Sequence, residues 1–497
     1  MTMAKDSTAT SSVTRTVDVR TTLLLVAAIF FVFLFTCSAF MKERLFNDAL
    51  FVAYPAWTLV HDHSLNIFSI TTLTTTGWAE PRGPGQLHSD RFPGSIFWAV
   101  PFYAIYHLKT FSIVPGTISA VWACALAMFF IYRTLLNFTK RETALGATLL
   151  MAFATSAWAT ASDALWTEGP TMLAISIAMW GLSKNSYVLA GVGYALALLC
   201  RPHTAVIAAV VGIWESIARK SIKPVLTIGS LTGLGLVLYL VYNRINSGRW
   251  ILFYGTYGDR IGAATGSGAG GQAKASLWIT DYIYTFFAPL HGLFIYSPFL
   301  LLLLPGLFKA WKIAAPWMRS SAIGGILYLL VQLAGNTWTG GDGFFGYRLI
   351  LVPLLTWIPL LALSWEQWTS TVTWARRAFG TLAAISLWWF AVGSISNNDK
   401  LGALDGVGIR NWNEWQVPII IRTAPPGAWL LAAIFVGVVG WFGWPKLSPT
   451  LSSVTHSSAK NQSKPDSQPG SIGSGKGQQS QGRKPLTKAE IRARKKR

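Results

Sequence analysis

The sequence predicts an all-α polytopic membrane protein, with about twelve transmembrane helices (10–14) and both termini on the cytoplasmic side. Three observations lead there. Of 497 residues, 52% are hydrophobic and only 12% are charged, about half the charged share of an ordinary soluble domain. Apolar runs of bilayer-crossing length recur along the chain. The basic residues are divided unevenly between the segments that those runs define.

The elements follow in chain order. Residues 1–20 form a short polar arm. The run 21–40 has the length of one crossing. No small-residue cleavage site follows it, so it is expected to stay as a helix. Further crossings are expected at 111–132, 143–160, 169–183, 187–200, 204–218, 225–243, 290–307, 321–335, 349–364, 378–395 and 425–444. The runs 187–200 and 204–218 are short for a span. Ser95 to Leu108 is also short and contains Pro101, which predicts an interfacial or re-entrant helix in a long first outer loop. The transmembrane domain is therefore 21–445. Residues 446–497 form a tail rich in Ser, Gly, Gln and Lys that ends in RARKKR. Such a tail should be disordered and drawn to anionic membrane lipids.

Charge fixes the expected orientation. With the termini inside, the inner segments hold 27 of the 41 Lys and Arg but only 7 of the 20 Asp and Glu. That asymmetry is the positive-inside pattern. The net charge of +21 then belongs to cytoplasmic loops and tail, and no nucleic-acid partner is expected. Cys37, Cys124 and Cys200 all fall in apolar runs and read as buried small hydrophobes.

Function should lie at the outer face. A solute carrier keeps its working charges near the midplane, whereas here they collect at outer helix ends and in the loops 41–110 and 244–289. Loop one offers Asp48, Asp62, Glu80, Asp90 and Arg91, with His61, His63 and His88. "TASDALWTEGP" offers Asp163 and Glu168, and "CRPHTA" offers Arg201 and His203. Arg244, Arg249, Asp259, Arg260, Asp342, Arg348 and Arg410 follow. Carboxylates facing arginines at one membrane surface suit transfer of a group from a lipid-linked phosphate. Arg matches phosphate oxygens in bidentate fashion, and a positioned carboxylate can take a proton from an acceptor hydroxyl. A sugar donor would pass through an oxocarbenium-like state that the same carboxylate stabilises.

Each residue also has a plainer reading. Asp48 can serve as a helix-start acid, and Asp163 or Glu168 as an N-cap. Arg201 and Arg348 can snorkel to the interface, Arg91 can sit in a turn near the headgroups, and Asp342 can bond locally in a Gly-rich turn. His61, Asp62 and His63 read as a polar surface turn, since two His at i, i+2 point apart and no ligand set completes them. "GAATGSGAGG" (262–271) follows no strand and lacks a Gly-Lys-Ser/Thr ending, so it reads as a loop rather than a phosphate cradle.

Seven segments occur in an order that resembles the integral-membrane GT-C glycosyltransferases, the protein mannosyltransferase and aminoarabinose transferase-like superfamily. They are "FNDALFVAYPAWTLV", "SDRFPGSIFWAVPFYAIYH", "ATSAWATASDALWTEGP", "GYALALLCRPHT", "VYNRINSGRWILFYGTYG", "FFAPLHGLFIYSPFLLLLLPG" and "NTWTGGDGFFGYRLILVPLL". The resemblance covers about residues 20–445. It implies a glycosyltransferase, of mannosyl- or arabinosyltransferase kind, that moves a sugar from a polyprenyl-phosphate donor to a glycan, lipid or protein acceptor. Asp48 stands where that family places its loop-one catalytic acid, with Asp163 or Glu168 at the second outer acid. Arg348 in "GYR" is the first lipid-phosphate contact implied, with Arg201, Arg91 and His203 beside it. Many members carry Asp-Glu where this chain has Asp48-Ala49. No metal ligands are assigned and no cofactor is required; a divalent metal is left open. A transporter or lipid-sugar flippase, and a non-catalytic scaffold of the same fold, are the alternatives. The expected location is a bacterial plasma membrane with the site facing the periplasm or wall. The Asn-x-Ser/Thr triplets at Asn137 and Asn461 both fall on the inner side.

Overall fold

The computed structural model describes residues 6–37, 47–71, 78–252, 275–334, 338, 340, 344–396 and 416–447, all within one compact unit, Met1–Leu447. Asp259, Arg260, Asp342, Arg410, the glycine-rich 262–271 and the basic tail from Ser448 lie outside the described residues.

The chain is mostly helical. The first half comprises α1 (Asp6–Thr36), α2 (Asn47–His61), strands β1 (Ala79–Gly83) and β2 (Gln86–Ser89), α3 (Pro93–Tyr106), α4 (Val114–Leu135), α5 (Arg141–Phe153), α6 (Glu168–Ser183), α7 (Tyr187–Cys200), α8 (Ala205–Arg219) and α9 (Lys223–Ser247). The second half comprises α10 (Ala275–Phe287), α11 (Leu293–Tyr296), α12 (Leu307–Ile313), α13 (Pro316–Ala334), α14 (Leu351–Ser364), α15 (Thr373–Ser396), α16 (Gln416–Thr423) and α17 (Pro426–Leu447).

Among the described residues, four helical stretches are long and apolar enough to cross a membrane: Val19–Thr36, Val114–Leu135, Lys223–Ser247 and Thr373–Ser396. A fifth counts if Gln416–Thr423 and Pro426–Val439, bent by 113°, form one span. α13 spans 19 residues but is not among these four, and the other expected crossings are shorter or broken. α5, α6, α7, α8 and α14 have 13 to 16 residues. The run 143–160 breaks after Phe153, where Thr155 Oγ1 turns back to Met151 O at 2.6 Å and a π turn, Ala157–Ala161, follows. The run 290–307 is only α11 and then a 3-10 segment, Pro298–Gly306, because Pro298 and Pro305 each remove a backbone donor.

Loop one corrects the purely helical expectation. Between α2 and α3 lies an antiparallel hairpin, Ala79 opposite Ser89 and Glu80 opposite His88. Gly83 and Gly85 flank its turn, and the isolated bridge from Asn66 to His88 extends it. The hairpin is tied to the end of α9. Asn246 donates to Ser89 O at 2.7 Å and pairs with His88 Nδ1 at 3.0 Å, while Arg82 Nη1 donates to Ile245 O at 2.6 Å.

The main core runs through α4, the π turn, α6 and α14, where Met128, Trp158, Met172 and Leu355 are buried together. A second cluster, including Val52, Ala56, Ile96 and Tyr103, packs α2 on α3. α3 also approaches the end of α7 closely. A Cβ on Gly94 would lie 2.6 Å from Cys200 N, so only glycine fits there. That contact brings the loop holding Arg91 toward Arg201.

Candidate functional site

Five charged side chains from distant parts of the chain converge. Asp48 lies in the first turn of α2, Arg91 in the loop after β2, Glu168 at the start of α6, Arg201 at the end of α7 and Arg348 just before α14. The placement follows helix electrostatics. The two acids occupy N-terminal turns, where the backbone dipole favours anions, and Arg201 caps a C-terminus, where it favours cations.

Arg348 bridges the two acids. Its Nη1 donates to Asp48 Oδ2 at 2.6 Å and its Nε donates to Glu168 Oε1 at 2.6 Å. Arg201 Nη2 donates to the same Glu168 oxygen. Arg91 Nη1 lies 3.2 Å from Asp48 Oδ1, and Arg91 Nε lies 3.1 Å from Asp90 Oδ1. Two tryptophans flank the guanidiniums: Trp166 lies 4.1 Å from Arg348 and Trp78 4.3 Å from Arg91.

The network has a deep end and an open end. The Glu168 and Arg201 side chains are 1% and 4% exposed. Arg201 is fixed further by Thr167 Oγ1 at 3.0 Å, Tyr328 OH at 3.2 Å and Gln332 Oε1 at 3.3 Å. Asp48 is the most open member, at 14%. Arg91, Arg201 and Arg348 are all buried. This overturns the interfacial-snorkelling and exposed-turn readings, because each guanidinium has found acids inside the protein.

Burial pushes the Asp48 carboxyl up, but Arg91, then Arg348 with its hydrogen bond, and Arg201 outweigh it. The group is held below the ordinary carboxylate value of 3.8. Asp48 is thus an ionised carboxylate facing the site's open side.

Of the two acids in "TASDALWTEGP", Glu168 joins the arginines. Asp163 is half-buried in the preceding turn, its amide donating to Thr160 O at 3.2 Å. His203 lies beside the network, its ring stacked on Tyr328 at 4.6 Å. Burial, with Arg201 adding to it, lowers its pKa to about 3, so it stands there as a neutral ring and not as a cation for phosphate. Ala49 is fully enclosed by Ala164, Trp166 and Phe344, so the position beside Asp48 has no room for a second acid. His61 and Asp62 pair at 2.6 Å on the surface. Among the described residues, no group of three or more His, Cys, Asp or Glu could hold a metal ion.

Neutral residues that a search for charge passes over hold Arg348 in place. Gly346 N donates to Gln416 Oε1 at 2.7 Å, Gln416 Nε2 to Phe344 O at 2.7 Å, and Tyr347 N to Ser156 Oγ at 2.7 Å. Thr160 Oγ1 donates to Phe345 O at 3.2 Å, and His291 Nδ1 donates to Gly346 O. Gly346 has φ +89°, and a Cβ there would strike Ser156 Oγ and the Phe390 ring. The only sequence signal for this clamp is the glycine in "FFGYR".

No family model matches the chain, and it matches neither a curated protein nor a solved structure.

Proposed function

We propose that this chain is a polytopic membrane glycosyltransferase of the GT-C kind, using a polyprenyl-phosphate sugar at the outer face of a bacterial plasma membrane. Its helical segments are read as about twelve crossings, the short ones met by local thinning of the bilayer, with N-in and C-in orientation from the positive-inside count. The observation that carries the reading is Asp48, ionised and partly open, set between the guanidiniums of Arg91 and Arg348.

The chemistry follows from that arrangement. An acceptor hydroxyl oxygen forms a bond to the anomeric carbon of the donor. The bond from that carbon to the phosphate oxygen breaks, and its electron pair leaves on the phosphate. Arg348 and Arg91 stabilise the departing charge, and Asp48 takes the hydroxyl proton. Asp48 also stabilises the positive charge that develops on the sugar ring. Glu168 and Arg201, at the deep end, hold Arg348 in position. Ala49 makes this a one-carboxylate site at the rim.

Purified protein, a radiolabelled polyprenyl-phosphate sugar and a panel of glycan, lipid and protein acceptors test the reading. Labelled product from the wild type, and none from folded Asp48→Asn, is expected. Full activity in Asp48→Asn would remove the assignment. Solute uptake by proteoliposomes without transfer would favour a carrier instead.

A further inference from the structure

We infer that the donor's phosphate enters the site by taking Arg348 from Asp48, so that binding the lipid phosphate is itself the event that frees the carboxylate to act as a base; this rests on the glycosyltransferase reading above.

Arg348 is heavily engaged by protein groups. Nη1 serves Asp48 Oδ2 at 2.6 Å and Gly340 O at 3.0 Å, Nε serves Glu168 Oε1 at 2.6 Å, and its face lies on Trp166. A phosphate that takes Arg348 Nη1 or Nε must exchange with one of the two acids. Glu168 is poorly placed to yield. It is buried at the start of α6, and its Oε1 is shared with Arg201, which Thr167, Tyr328 and Gln332 hold fast. Removing it would strand a buried arginine, which is strongly unfavourable.

Asp48 is the group that can yield. It stands at the open end, and its Oδ1 is ion-paired to Arg91 at 3.2 Å without a hydrogen bond to hold it. The exchange also conserves charge, since a phosphodiester carries one negative charge, as the carboxylate does. Once displaced, Asp48 keeps Arg91 and loses the hydrogen bond from Arg348, so its affinity for a proton rises.

The charged groups around Asp48 are Arg91 and Asp90 from the loop after β2, Arg348 before α14, Glu168 of α6 and Arg201 of α7. The titratable side chains that face α2 from β2 and α3 are engaged elsewhere, and Tyr106 of α3 is exposed. His88 pairs with Asn246, and Tyr103 donates to Ser112 O. Tyr54, on α2 itself, packs against Phe51 and Phe111.

Two measurements test the exchange. The pH profile of kcat/KM for the donor reports Asp48 before binding, and that of kcat reports it afterwards. The acid limb of kcat should lie at higher pH than that of kcat/KM, by about one unit, a tenfold gain in proton affinity. Coincident limbs, or limbs in the reverse order, would overturn the exchange. Absence of transfer by the wild type would instead overturn the reading beneath it. The second measurement needs no turnover. Farnesyl methyl phosphodiester has no group that titrates near neutral pH. Its binding to the full-length protein is followed by calorimetry in buffers of different ionisation enthalpy, from acid to neutral pH. Proton uptake on binding is expected in the wild type and not in Asp48→Asn. Binding with no uptake at any pH, or with equal uptake in both proteins, contradicts the inference.

Discussion

Arg348 Nη1 donates to Asp48 Oδ2 at 2.6 Å, joining residues 300 apart in sequence. The same guanidinium reaches Glu168, so one arginine ties the start of α2 to the start of α6. An arginine shared by two acids can receive a phosphate by giving one of them up, and the predictions below follow from what holds it.

Glu168 and Arg201 should act as a coupled unit. Both are buried; removing Glu168 leaves Arg201 without its acid, whereas removing Arg201 leaves Glu168 paired with Arg348. Glu168→Gln should lower stability by about 3–5 kcal/mol, and Arg201→Met by less. The double variant should lose clearly less than the sum. Unfolding midpoints in detergent check this, and additive losses would show that the pair is not coupled.

Ala49 should reject an acid. Its methyl group is enclosed by Ala164, Trp166 and Phe344. Ala49→Asp should cost about 3 kcal/mol or more, since a carboxylate buried without a partner is strongly unfavourable. Ala49→Gly should be mild. An Ala49→Asp protein as stable as the wild type would mean that the pocket opens readily to water.

Acid should weaken the fold through His203. Its imidazole is held down to about 3 in the folded protein, against 6.5 ordinarily. Between those values the unfolded chain binds the extra proton. Stability therefore falls as pH drops below about 6.5, by up to about 1.4 kcal/mol per pH unit from this group. His203→Asn should flatten that slope in unfolding midpoints measured from pH 4 to 7. An unchanged slope would assign the acid sensitivity elsewhere. Asp48 acts in the same direction over a more acid window: its carboxyl is held below the ordinary 3.8, so the unfolded chain takes the proton first and stability falls further once pH drops below about 3.8.

Gly346 should be intolerant of a side chain. Its φ of +89° and the atoms that face it exclude a Cβ. Gly346→Ala should cost about 1–2 kcal/mol from backbone strain alone and shift Arg348 off its acids. In the transfer assay this should appear as a raised donor KM together with a lowered kcat. Unaltered kinetics would show that Arg348 is positioned independently of the turn.

Much of the site was legible in the sequence because charge is scarce in this chain. Asp48, Arg91, Glu168, Arg201 and Arg348 stood out as ionisable groups at the ends of apolar runs, and they meet. Three things were not legible. Periodicity could not choose between Asp163 and Glu168, since both sit near one helix start and only packing selects which of them meets Arg201. The clamp of Ser156, Thr160, His291 and Gln416 uses hydroxyls, an imidazole and an amide whose partners are backbone atoms, and that leaves no sequence pattern. The hairpin at Ala79–Ser89 was masked by its short length and its lack of apolar alternation. Helix lengths are less legible than the site. Prolines at 298 and 305 and the back-bonding Thr155 break runs that hydropathy alone would carry across a bilayer.

The most direct measurement is a structure of the protein with a polyprenyl-phosphate sugar bound. The expectation is a phosphate within hydrogen-bonding distance of Arg348 and Arg91, the anomeric carbon facing the Asp48 carboxylate, and Glu168 still paired with Arg201. A lipid phosphate held at the opposite membrane face, or one at this site with Asp48 still bonded to Arg348 and turned away from the sugar, would contradict it.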